Sequence, residues 1–299
     1  MNSIAKSLPN GTRIDDYVIS KTLSRGGFSY VYLAKEVESG QRVILKEYMP
    51  SKLAKRDAEM RVVARNDETI EYFSHGRKLF LKEAKALAGL KHPNIVDVIN
   101  FLSANGTVYI VMVYEQGHNL HSYIKKHRGF LSEQFLLTVF PPLLQGLQTI
   151  HKTGFLHLDI KPSNVHLRPG GSPLLLDFGA VHSIMQTRSS QFTQVVTPGF
   201  SPTEQYNNSG YVGPWTDIYA VGASMRNCID HRAPLDAMKR HENDTMKPAT
   251  EVYQKKYSEK LLKAIDWAME VDPLLRPQSV AELIEVLPRW ETNEESASG

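Results

Sequence analysis

An α+β fold, with an antiparallel sheet near the start of the chain and a mostly helical remainder, is predicted by two patterns and the chain's size. From Tyr17 to Tyr48 three β-rich runs are separated by the turn signals Gly26-Gly27 and Ser39-Gly40, as at the opening of an antiparallel sheet. Phe135 to His151, Ser258 to Val271 and Ser279 to Leu287 read as helices, and the last two open at a serine able to cap them. With 299 residues, 41% of them apolar, the chain can bury a full core as two lobes or as one large domain.

Bulk properties exclude several classes. The 35 basic residues are nearly matched by 32 acidic ones, and a net charge of +3 predicts neither nucleic-acid nor membrane binding. Cys228 is the single cysteine, so no intramolecular disulfide or thiolate metal site forms, which fits a reducing cytoplasm. Met1 to Tyr17 lacks the apolar core of a signal peptide. The run from Phe135 to Leu147 is too short and too interrupted to cross a bilayer. The expectation is a soluble, cytoplasmic protein.

The first β turn lies in Leu23-Ser24-Arg25-Gly26-Gly27-Phe28-Ser29-Tyr30-Val31. Small residues there let backbone N–H groups approach phosphates, although an ordinary hairpin turn reads as well. Lys46 ends the run Val43-Ile44-Leu45-Lys46, and Glu83 lies in a helical segment with apolar residues at 80, 84 and 87. Glu83 reads as the partner of that lysine or as a surface glutamate. Residues 47 to 82 separate the two. Lys52, Lys55, Arg56, Arg61 and Arg65 there are nearly cancelled by Asp57, Glu59, Asp67 and Glu68, so a solvated insertion is expected rather than a docking patch.

The chemistry concentrates in His157-Leu158-Asp159-Ile160-Lys161-Pro162-Ser163-Asn164, followed after a buried apolar strand at Leu174-Leu175-Leu176 by Asp177-Phe178-Gly179. A base, a cation and two oxygen ligands at these spacings form the set that phosphoryl transfer needs. Asp159 receives a substrate hydroxyl, Lys161 steadies the transferring phosphate, and Asn164 and Asp177 hold Mg²⁺. With these motifs the chain resembles the eukaryotic-type serine/threonine protein kinases, in particular their bacterial members.

The resemblance covers about residues 15 to 290 and implies the bilobal protein-kinase fold. An antiparallel N-lobe sheet with one main helix (about 15–112) would join a mostly helical C-lobe (about 118–290) through a hinge at 113–117. Residues 1–14 would be an N-terminal extension and 291–299 a disordered acidic tail. It places Leu23, Ser24, Gly26, Gly27, Val31, Lys46, Glu83, Met112, Val113, Glu115 and His166 at the ATP site. Lys46 would contact the α- and β-phosphates, and the backbone of Val113 and Glu115 the base. Thr197 would bond the catalytic Asp and Lys. Glu204, ending the activation segment that starts at Asp177, would pair with Arg276 of Asp272-Pro273-Leu274-Leu275-Arg276-Pro277. Asp217 would support the catalytic loop from a buried helix. Candidate phosphosites are Thr187, Ser189, Ser190 and Thr193.

The chain also departs from the family pattern. Ser24 and Ser29 replace two of three glycines, Ile44 replaces a small alanine above the base, and His166 falls where an apolar residue usually lies below it. Leu158 stands where many members carry a phosphate-gripping arginine, so no phosphate clamp is expected there. Pro141-Pro142 is expected to kink its helix.

The implied function is an ATP-dependent serine/threonine kinase using Mg²⁺, with Mn²⁺ as an alternative. It would act on protein substrates, autophosphorylate, and answer to a regulatory partner or cognate phosphatase, with no nucleic acid or membrane involved. The alternative is a pseudokinase or regulatory scaffold with a modified nucleotide pocket. A small-molecule phosphotransferase is disfavoured by the activation segment and its Glu-Arg anchor.

Overall fold

The computed structural model describes residues 7–176, 182–183, 196–207 and 211–289, without the side chains of residues 83, 86, 87, 182 and 183. The chain divides into two compact units, Met1–Lys91 with Val96–Glu115, and His92–Ile95 with Gln116–Gly299. Asp177, the candidate phosphosites and the tail at 291–299 lie outside the described residues.

The first unit is built on a six-stranded antiparallel sheet. Its strands are β1 (Arg13–Ile14), β2 (Tyr17–Arg25), β3 (Ser29–Glu36), β4 (Arg42–Tyr48), β7 (Val98–Ala104) and β8 (Thr107–Val113), in the order β1-β2-β3-β4-β8-β7. Between β4 and the main helix lies a two-stranded hairpin, β5 (Ala54–Arg56) and β6 (Val62–Ala64). The helix α1 (Ile70–Ala88) follows a capping box. Asn66 Oδ1 accepts from the Thr69 N–H at 3.2 Å, and Thr69 Oγ1 accepts from the Asn66 N–H at 3.2 Å. Strand β8 is buried along its length except at Val113. Leu8 is buried, and its N–H donates to Tyr32 Oη at 3.2 Å, which ties the described residues before position 15 to this unit.

Side chains of β4 alternate between two faces. Lys46 and Tyr48 share one, where Tyr48 stacks against Phe73 and packs at a tilt against Phe80 of α1, with ring centroids 5.8 and 5.3 Å away. Leu45 and Glu47 share the other with Tyr32 and Tyr109, their cross-strand partners in register. The expectation of a solvated insertion fails on that second face. Arg56 is buried and bonds the fully buried Glu47 carboxylate at 2.5 Å. A charged residue is found inside when its partner is inside.

The second unit starts with β9 (His118–Asn119), α2 (Leu120–Lys126) and α3 (Glu133–Lys152). Asn119 caps α2 and Ser132 caps α3. The helix expected over Phe135 to His151 forms, and α3 runs through Pro141-Pro142 without a break. The prolines deprive only the carbonyls of Leu137 and Thr138 of donors, while Leu136, Leu137, Val139, Phe140, Leu143, Leu144, Leu147 and Ile150 are buried, so packing overrides propensity. After β10 (Phe155–Leu156), β11 (Val165–Leu167) and β12 (Pro173–Leu175) form a sheet with β9. A short helix α4 (Thr203–Tyr206) precedes the central α5 (Pro214–Asp230), whose residues are buried from Thr216 to Ile229. Two helices, α6 (Ala237–Glu242) and α7 (Ala249–Val252), follow in a polar stretch. The unit closes with α8 (Glu259–Ala268) and α9 (Val280–Val286), capped by Ser258 and Ser279 as expected.

Candidate active site

In the second unit, the loop between β10 and β11 gathers the predicted catalytic residues around one carboxylate. Lys161 Nζ donates to Asp159 Oδ1 at 2.7 Å, and Thr197 Oγ1 donates to the same oxygen at 3.0 Å. Lys161 also donates to Thr197 Oγ1 at 3.1 Å, closing a three-membered polar ring. The Asn164 amide donates to the Asp159 carbonyl at 2.8 Å and to Asp159 Oδ2 at 2.9 Å. A carboxylate offers about four lone-pair sites. Three are taken here, which leaves Oδ2 able to accept one more donor. Both amide hydrogens of Asn164 are used, leaving its Oδ1 as an acceptor, and Lys161 keeps one ammonium hydrogen.

This geometry is set by backbone bonds to a buried acid. Asp217 on α5 accepts from the N–H groups of His157 and Leu158 at 2.8 and 2.7 Å, and stands 2.8 Å from His151 Nε2. Burial pushes its carboxyl up, but the bonds from His151 and His157 outweigh that and hold it below the usual carboxylate range. The double backbone contact places Leu158 in the left-handed region at φ 57°, where a bulky residue is rare. Its carbonyl accepts from Gln205 Nε2 at 2.8 Å. Its side chain is buried with Leu156 and packs against Val212. The ring of His157 must donate from Nε2, because its partner at 3.0 Å is the Leu176 carbonyl, and accept at Nδ1 from the Asp159 N–H at 3.3 Å. Leu176 is also held by its N–H on the Asn164 carbonyl at 2.8 Å.

Glu204 and Arg276, 72 positions apart, meet in a buried two-bond pair at 2.7 and 3.3 Å. Thr216 Oγ1 adds a third bond to Glu204 at 2.9 Å. Arg276 spends its other hydrogens on the carbonyls of Glu270, Val271 and Trp215. His151, Gln205 and Thr216 were not singled out in the sequence. Each is an ordinary polar residue whose role appears only once its partner is placed.

The first unit carries the other candidates. Leu23 and Ser24 lie on β2, Val31 on β3, and Gly26 and Gly27 in the turn between them. Neither glycine has a positive φ, and a Cβ added at Gly27 would meet nothing within 4 Å. Conformation and packing therefore do not demand glycine at Gly27. Lys46 is buried on β4 with Nζ 5.9 Å from the Phe80 ring centroid. Glu83 lies on α1, and its side chain is outside the description. Met112 and Val113 end β8, with Glu115 two residues on. In the second unit His166 lies on β11, opposite Leu174 and Asn119. Among the described residues no three His, Cys, Asp or Glu cluster as a metal site. Asn164 Oδ1 is an oxygen of the kind hard cations prefer, and Asp177 lies outside the described residues.

The protein kinase domain family profile matches residues 17–287. The chain belongs to the protein kinase domain family. A solved structure, the PpkA-294 apo form, is 34% identical and has a TM-score of 0.82, covering 94% of this kinase chain and 99% of that one. The serine/threonine-protein kinase D of Synechocystis sp. is 30% identical over 92% of this chain and 52% of that protein. Nek3, a serine/threonine-protein kinase of Mus musculus, is 31% identical over 75% of this chain and 40% of that protein. The chain spans between about a third and a half of the length of such curated relatives. Kinases of this family use ATP and a divalent metal, and the antiparallel sheet and helical unit described above are the protein-kinase fold. Among the described residues no helix is long and apolar enough to cross a membrane.

Proposed function

We propose that this chain transfers the γ-phosphate of ATP to serine or threonine hydroxyls of proteins. The observation that carries the reading is the Asp159 carboxylate, oriented by Lys161, Thr197 and Asn164 and left with one acceptor position on Oδ2. That position suits a substrate hydroxyl, which Asp159 aligns and whose proton it accepts. Lys161 turns its remaining hydrogen to the transferring phosphate, and Lys46 contacts the α- and β-phosphates. Asn164 and Asp177 would hold Mg²⁺, which when bound neutralises charge on the phosphate oxygens. Catalysis is then positioning plus charge stabilisation.

Serine/threonine selectivity and a protein acceptor are supported by Thr197, locked to both catalytic side chains, and by the Glu204–Arg276 pair that fixes the chain just after it. The printed names of the relatives point the same way. A cytoplasmic setting, and control by a regulatory partner or a phosphatase, belong to the same proposal. Cys228 is fully buried, and burial pushes its thiol up, which suits a chain without thiol chemistry.

The test is incubation with Mg²⁺ and ATP labelled on the γ-phosphate, with and without a generic acceptor protein, followed by phosphoamino-acid analysis. Label on serine or threonine is expected. Label on tyrosine alone, or on a metabolite and no protein, would overturn the reading.

A further inference from the structure

Residues 47–65 look like padding between Lys46 and α1, yet they bond to β3, β8, the glycine turn and the β7–β8 turn and pack against α1. The Glu47 carboxylate is fully buried and receives three side chains: Tyr32 Oη of β3 at 2.8 Å, Tyr109 Oη of β8 at 2.7 Å and Arg56 Nη2 of the hairpin at 2.5 Å. Arg56 is closed on its other side by the Met60 carbonyl at 3.1 Å. One carboxylate thus fixes β4 between its two neighbours, one residue from Lys46.

The same segment holds the glycine turn and the helix. The Met49 N–H donates to the Phe28 carbonyl at 2.8 Å, and the Ser51 N–H donates to the Gly27 carbonyl at 2.9 Å. The Val62 N–H donates to the Asn105 carbonyl at 2.9 Å, and Asn105 Nδ2 donates to the Met60 carbonyl at 3.0 Å. The β7–β8 turn gripped in this way accepts Arg77 Nη1 of α1 at the Gly106 carbonyl, 3.0 Å away. A Cβ at Gly106 would lie 2.3 Å from the Val62 carbonyl oxygen, so glycine is needed for the hairpin to seat. Tyr48 fills the remaining contact, against Phe73 and Phe80 of α1.

We propose that the hairpin segment is a strut that presets the glycine turn, the Lys46 strand and α1 for nucleotide binding, with Arg56 as its positioning residue. The inference rests on the phosphoryl-transfer reading, since it assigns the strut to the ATP side of that reaction. Arg56 touches no substrate and acts through Glu47. A loss of this clamp shifts Lys46 and the glycine turn by fractions of an ångström to an ångström, which weakens ATP binding. It leaves the acceptor-binding residues of the second unit untouched.

The test uses the full chain with Arg56→Ala, and with the charge-free pair Glu47→Gln and Arg56→Met, which keeps similar volume and avoids a stranded buried charge. The expected result is a rise of about tenfold or more in the KM for ATP, with the KM for the acceptor protein unchanged. Amide hydrogen exchange should quicken in β4 and α1 but not in α5. Arg56→Lys should restore part of the affinity, and Arg61→Ala, on the exposed edge of the hairpin, should change nothing. Simple destabilisation would lower the active fraction and move neither KM. A folded double variant with wild-type KM for ATP and wild-type exchange in α1 would overturn the proposal. If the wild type itself neither binds nor consumes ATP, the phosphoryl-transfer reading fails and with it the strut's assignment to nucleotide binding.

Discussion

Replacing Arg276 by alanine removes the guanidinium that neutralises Glu204, and the structure sets the size of the effect. The two side chains are 0% and 5% exposed, so neither is screened appreciably by solvent. In Arg276→Ala the Glu204 carboxylate keeps only the Thr216 hydroxyl, and the carbonyls of Glu270, Val271 and Trp215 lose a donor. Breaking a buried pair by removing one partner costs about 3–5 kcal/mol. For a unit of this size that lowers the thermal midpoint by about 6–20 °C. Glu204→Gln strands the opposite charge: Arg276 keeps its carbonyl partners and the Tyr219 ring 4.8 Å away but loses its counter-ion, so a loss in the same range, about 3–5 kcal/mol, is expected. Calorimetric melting of wild type and both variants checks this. Equal midpoints for wild type and Arg276→Ala would refute the claim that this pair anchors the chain after Thr197.

Three further outcomes follow from the same geometry. Gly76→Ala places a Cβ 1.9 Å from Tyr48 Oη, at the end of a ring already packed on Phe73 and Phe80. The displacement should cost about 1–3 kcal/mol and outweigh a helix-propensity gain of roughly 1 kcal/mol, read as a lower melting temperature. Thr197→Ala removes the hydroxyl shared by Lys161 and Asp159 and should slow phosphate transfer about tenfold to a hundredfold, while Thr197→Ser should recover most of it in a steady-state rate assay. Asp217 has a folded-state pKa below its unfolded value, so its contribution to stability is complete above about pH 4 and is lost as pH falls through the folded pKa. Melting temperatures followed from pH 7 to pH 2 should therefore fall more steeply for wild type than for Asp217→Asn at the acid end.

Much of the second unit was legible because its motifs carry the chemistry in local spacing. Asp159, Lys161 and Asn164 lie within one loop, and their bonds to one another follow from that loop closing on itself. Glu204 and Arg276 were legible for another reason: a charge in an apolar setting demands a partner, and the family resemblance named one. Arg56 was not legible. It stands among Lys55, Asp57 and Arg61 in a stretch that reads as solvated, and only the hairpin's seat on the sheet takes it inside. Helix α3 was legible over Phe135 to His151, and it runs on through Pro141-Pro142 because the apolar face around them packs in three dimensions. The left-handed Leu158 is set by two N–H groups reaching one distant carboxylate, which no local pattern announces.

The central claim is that Asp159 Oδ2 receives the proton of a protein hydroxyl during phosphate transfer. It is tested most directly by measuring γ-phosphate transfer and ATP affinity side by side for wild type and Asp159→Asn. The asparagine keeps the size of the side chain but cannot take up a proton. Transfer should fall by about a hundredfold to ten-thousandfold with ATP affinity little changed. An Asp159→Asn protein that transfers phosphate at the wild-type rate would contradict the account.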